Sequence, residues 1–162
     1  MAYDHFTYFE KIAKAIPEIG AKKFLKASTP RELEGLLNSN SGLSKFILVA
    51  CCEDESKLLD AENEAVFQDN KFEFMILHPT TQDNHKTIFT AFESCKNICN
   101  RIISRLFYDS KNGRDIPIQA LLPNQIQFDN VGPIASTWYG VIVAFTLREP
   151  YYYKYNPKDW NE

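Results

Sequence analysis

The chain has 162 residues, of which 44% are hydrophobic and 24% charged, the composition of one globular domain with room for a core of its own. A net charge of −3 argues against a general nucleic-acid binder, and no run comes near the roughly 20 consecutive apolar residues that would span a bilayer. The opening MAYDHFTYFEK has no basic-then-apolar signal pattern, so the expectation is a protein that stays in the cytoplasm where it is made.

The first predicted element is a helix over residues 4–16. Phe6, Phe9, Ile12, Ala13 and Ile16 recur at helical spacing, and Pro17 marks the end. A shorter helix starts at Thr29-Pro30-Arg31-Glu32: Thr29 caps, Pro30 suits the first helical position and Glu32 completes a capping box. Leu33, Leu36 and Leu37 form its apolar face, and a loop over residues 38–44 ends it.

Residues 45–52, KFILVACC, are a continuous apolar run with β-branched members and read as a buried strand. Residues 72–78, FEFMILH, supply its antiparallel neighbour, ended by Pro79. Between them, residues 53–69 carry seven acids against one lysine, a local charge of −6 and twice that of the whole chain. The expectation there is a solvated acidic loop, with residues 64–68 extending the hairpin.

The main helix is predicted over residues 84–108. Ile88, Phe92, Cys95, Cys99, Ile102 and Leu106 step alternately by four and three, and Phe89, Ile98 and Ile103 widen the stripe. Asp83 or Asn84 caps its start, Arg101 and Arg105 suit its C-terminal half, and Lys111-Asn112-Gly113 stops it. So short a seam, without regular flanking charge pairs, is expected to cover a sheet rather than form a coiled coil. Two strands follow, over residues 116–122 and 125–131, joined at Pro123-Asn124, and a Gly132-Pro133 turn leads to the last strand. In that strand Tyr139, Val141, Val143, Phe145 and Leu147 share one face, and Trp138, Ile142 and Ala144 keep the other apolar, so both faces are expected to be covered. The fold class is α+β: one mostly antiparallel sheet, a long helix packed on it, and N-terminal helices, all in a single domain over residues 1–150. Residues 151–162 form an aromatic C-terminal arm containing Tyr151, Tyr152, Tyr153, Tyr155 and Trp160. Two fates stay open for it: folding back over its own sheet, or contacting a neighbour through residues typical of interface hot spots.

Little in the sequence carries chemistry. Cys51 and Cys52 are adjacent in a strand and should point to opposite sides; Cys95 and Cys99 share a helix face without a third ligand at metal-binding spacing. All four read as reduced core residues. His78 and His85 flank one loop with Asp83 between them, a conceivable acid/base or metal site that solvated loop ends explain better. There is no nucleophile elbow, no Gly-rich phosphate loop and no H-E-x-x-H. The expectation is therefore no enzyme, no cofactor and no metal. Lys86, Lys96, Arg101, Arg105, Lys111 and Arg114 gather on and after the long helix, either as a solvated face or to meet the acidic segment of an identical neighbour.

The order of elements resembles the tail-terminator and neck proteins of tailed bacteriophages. The resemblance rests on KFILVACC, FEFMILHP, the helix NHKTIFTAFESCKNICNRIISRLF and the closing pair QIQFDNV and STWYGVIVAFTL, which span most of residues 45–147. The helix around residues 30–37 and the Tyr-rich tail depart from that pattern. The resemblance implies a virion structural protein at the head–tail junction or tail end, assembled in the bacterial cytoplasm into rings of roughly six or twelve copies. It also implies portal, neck or tail-tube neighbours, and DNA that passes without specific binding. Glu53, Asp54, Glu55, Asp60, Glu62 and Glu64 would then line the channel and repel phosphates. Arg101, Arg105 and the arm residues would form the subunit interface. The rival expectation is a small cytoplasmic module with a ferredoxin-like sheet whose open face takes a ligand or peptide.

Overall fold

The computed structural model describes residues 3–19, 23–39, 45–52, 55–61, 65–81, 84–152 and 156–159. Their order is α1 (His5–Ala15), β1 (Phe24–Ala27), α2 (Pro30–Ser39), β2 (Ile47–Cys51), β3 (Glu55–Ala61), β4 (Ala65–Pro79), α3 (His85–Asn112), β5 (Gln127–Ile134) and β6 (Trp138–Pro150). This is an α+β fold with three α-helices and a mixed six-stranded sheet among the described residues.

Each helix starts where a side chain satisfies its free amides. Asp4 accepts from the Thr7 N–H at 3.0 Å and the Thr7 hydroxyl at 2.8 Å. At α2 the Thr29 hydroxyl accepts from the Glu32 N–H at 3.2 Å, and the Glu32 carboxylate reaches back to the Ser28 N–H at 2.7 Å. Asn84 accepts from the Thr87 N–H at 3.3 Å. Gly113 closes α3 in the left-handed region, φ 63°, with its N–H on the Asp109 carbonyl.

The sheet runs β1-β2-β4-β6-β5. Among the described residues only β1 and β2 are parallel; the remaining pairs are antiparallel. β4 is the spine. One edge pairs with β6 from Phe67 to Pro79, while the other is shared by β2, opposite Phe74 to Leu77, and β3, opposite Ala65 to Lys71. Gly140 lies where the strands leave no room, since a Cβ there would collide with the Ile76 carbonyl.

Period two sends Phe72, Phe74 and Ile76 of β4 and Val141, Val143, Phe145 and Leu147 of β6 to one face. They join Phe9, Ile12 and Ala13 of α1 and Cys95, Ile98, Cys99, Ile102 and Leu106 of α3 in the main core. The opposite face carries a smaller core in which Leu33 and Leu37 of α2 meet Ile47, Val49, Leu77 and Trp138. Both faces of the last strand are thus packed at its start, as its sequence predicts.

Four local expectations are corrected. β1, too short to show a pattern, is an additional strand. Residues 116–122 are not a strand: Pro117 and the left-handed Gln119, φ 56°, interrupt the run, and only Leu121 bridges to Leu147. Gly132 and Pro133 lie within β5 at a register shift, and the turn falls at residues 135–137, with Ala135 and Ser136 at positive φ. Phe89, expected to widen the core stripe of α3, is 64% exposed. A residue in a helix advances by about 100°, which puts Phe89 some 120° round from Cys95, past the edge of the buried stripe.

Candidate functional site

Glu55 and Asp60 lie on β3, not in a loop, and both are exposed. Glu53, Asp54, Glu62 and Glu64 fall outside the described residues. The acidic connection is thus in good part a hairpin. Polar cross-strand pairs hold it: Lys57 lies opposite Asp69, the Ser56 hydroxyl donates to Asn70 at 2.6 Å, and Gln68 donates to Ser56. Asp69 is nearly buried and accepts hydrogen bonds from Nε and Nη2 of Arg148, at 2.7 and 2.8 Å, so its charge is compensated within the sheet.

Arg101 and Arg105 are engaged within their own chain. Arg101 meets Glu18 at 2.7 Å. Arg105 donates to Asp109 at 2.6 Å, and the same Asp109 oxygen accepts the Tyr8 hydroxyl at 2.9 Å, tying α1 to α3. Burial and that hydrogen bond push the Tyr8 phenol well above its usual range. The guanidiniums of Arg105 and Arg114 also approach the half-exposed ring of Tyr108, at 5.8 and 5.4 Å.

Of the arm, Tyr151 extends the ladder by donating its N–H to the Val66 carbonyl at 2.8 Å, and Tyr152 is 90% exposed. Tyr153, Tyr155 and Trp160 lie outside the described residues. The His78 ring packs on Phe46, with centroids 4.6 Å apart, and burial lowers its pKa; His85 is exposed at the start of α3, and Asp83 is outside the described residues. Among the described residues no three His, Cys, Asp or Glu side chains are grouped to hold a metal. Cys95 and Cys99 are core residues whose thiols burial pushes up, Cys95 to about 12. No described helix is long and apolar enough to cross a membrane.

One concave feature was not expected from the sequence. A groove of about 540 Å³ opens on the face opposite α1 and α3, between the start of α2 and the end of β5. Met75, Val131 and Ile134 line it from the sheet, and Pro30 and Leu33 from α2. Two carboxylates border it, Glu34 and Glu73, the latter also 3.7 Å from the Lys71 ammonium. Cys51 and Cys52 both line it, contrary to the expectation of opposite sides, because β2 ends at Cys51 and Cys52 lies beyond the pleat. The Cys52 thiol donates to the Ser28 hydroxyl at 3.1 Å. The one signal in the sequence is the alternation in FEFMILH, which sends Glu73 and Met75 away from the helix-covered core.

These features form a hydrophobic groove with acidic borders, beside a compensated ion pair on an open sheet face. Comparison of the sequence with protein-family models and with curated proteins gives no match.

Proposed function

We propose that the chain is a tail-terminator or neck-type virion protein that assembles into a closed ring around a DNA channel. The observation that carries this reading is the set of large apolar side chains that one copy leaves uncovered in separate places. Phe89 and Phe107, 64% and 42% exposed, lie on one outward face of α3, about 27 Å apart along its axis. Leu58 on β3 and Tyr152 beyond β6 are 55% and 90% exposed at the far end of the sheet. Two unlike surfaces on one chain suit head-to-tail contacts, which close when the rotation allows. In this reading the β3–β4 hairpin faces the channel, where Glu55 and Asp60 repel DNA phosphates. The neighbours are portal, neck or tail-tube proteins.

Light scattering and electron microscopy test it. Rings are expected from the wild-type chain, alone or with purified tail-tube or portal assemblies, and their loss in the Phe89→Glu/Phe107→Glu double variant. A monodisperse monomer under all these conditions overturns the reading. The groove favours a second reading, a small ligand- or peptide-binding module, because its volume is that of a typical ligand site.

A further inference from the structure

The groove and the C-terminal arm are complementary in chemistry. The groove pairs an apolar lining of Met75, Val131 and Ile134 with the carboxylates of Glu34 and Glu73. Its matching occupant is a segment with aromatic side chains and positive charge. Residues 151–162, YYYKYNPKDWNE, carry five aromatic residues and the cations Lys154 and Lys158, the acids Asp159 and Glu162 following them, and Pro157 excludes a continuous helix.

The sheet decides which copy supplies that segment. Glu73 and Met75 lie opposite Ala144 and Ile142, whereas β6 continues to Pro150, opposite Phe67. The Tyr151 N–H bonds the Val66 carbonyl, so the backbone is still travelling away from the groove as it leaves the sheet. By then it is about 20 Å beyond Ala144. Filling its own groove would require the arm to reverse and run back along the sheet. An arm from a copy behind it needs no reversal.

We infer that the groove of each copy receives the C-terminal arm of a neighbouring copy, aromatic side chains entering the apolar lining and lysines meeting Glu34 and Glu73. The inference rests on the ring reading and adds to it the receptor: each site is incomplete without residues of the next chain. Pairing an exposed aromatic arm with a preformed cleft is an economical route to a directional contact, since the partner's apolar residues are buried without remodelling either fold.

The groove carries its own reporters. Cys51 and Cys52 line it, while Cys95 and Cys99 are fully buried and serve as an internal control. In the chain of residues 1–162, Asn161→Cys places a thiol beside Trp160. Wild-type and variant chains carrying different tags are mixed, oxidised mildly with diamide, and mapped after non-reducing electrophoresis. The expected product joins position 161 of one chain to Cys51 or Cys52 of the other. Adding Glu34→Lys, at an exposed helix position, should slow the link roughly tenfold. Rings that form without this link, a link confined to one chain, or a rate indifferent to Glu34→Lys overturns the docking and leaves the ring standing. A chain that is monomeric by light scattering overturns both.

Discussion

The two faces of the sheet share their strands but not their chemistry. Under α1 and α3, Phe72, Phe74 and Ile76 interleave with Val141, Val143, Phe145 and Leu147, and helices close over all of them. The other side of β4 presents Asp69, Lys71, Glu73 and Met75, and α2 covers only the end near β1 and β2. Past α2 come the groove, then the Asp69–Arg148 pair with Thr146. Period two lets one strand hold the molecule together with its even-numbered residues and present a working surface with its odd-numbered ones. The first face is held throughout by dispersion and water exclusion, the second by a small apolar core under α2 and, beyond it, by compensated charge.

Four measurements break or sharpen that contrast. Phe145→Ala, in the closed face, should cost about 3–5 kcal/mol in denaturant unfolding, whereas Met75→Ala, half-buried in the groove, should cost well under half as much. Equal losses would mean that the groove is core.

The second concerns pH. His5 is buried against Phe72, with ring centroids 5.0 Å apart; its Nε2 lies 3.0 Å from the Glu73 carbonyl and its Nδ1 3.1 Å from the Tyr3 hydroxyl. Burial pushes its pKa down to about 4 from 6.5, so the folded state keeps the ring neutral while the unfolded chain takes up a proton first. The stabilisation is complete above pH 6.5 and is lost as pH falls toward 4, roughly 3 kcal/mol in all. Unfolding of the wild type and of His5→Phe across that window should show the steeper slope in the wild type, the remainder in the variant coming from His78, whose pKa burial also lowers.

Third, Arg148→Ala leaves Asp69 nearly buried without its counter-ion and should cost about 2 kcal/mol by urea titration. A neutral result would mean that water reaches the carboxylate freely. Last, Phe89→Ser should change stability by less than about 0.5 kcal/mol, since the ring is mostly exposed, while still altering assembly. Arg105 is a poor choice for such an assembly test: reversing its charge would set a carboxylate against Asp109 inside the fold.

The helices were legible because local chemistry writes them: Thr29 with Glu32, Asn84 and Gly113 each do what their positions predict, and the apolar stripe before Pro17 marks α1. The β2–β4 pairing and the two faces of β6 were legible from continuous apolar runs. β3 was hidden because cross-strand polar pairs hold it rather than apolar alternation, so its charge read as loop. Residues 116–122 erred the other way. Their apolar alternation read as a strand, yet Ile116, Ala120 and Leu121 plug the gap beside α3 and β6 while Ile118 stays 69% exposed. The arm could be seen in composition alone. The groove could not, because α2, β2, β4 and β5 bring it together from positions more than a hundred residues apart in sequence.

β4 has a mechanical consequence. Its fifteen residues make a beam about 50 Å long, with the helix-covered core at one end and the β3 hairpin at the other. The arm leaves β6 at that same outer end, so a pull on either element draws β4 and β6 in one direction. Unzipping their hydrogen bonds one at a time cannot relieve such a load, because both strands must slide from beneath α1 and α3 together. The joint therefore yields in shear, all at once.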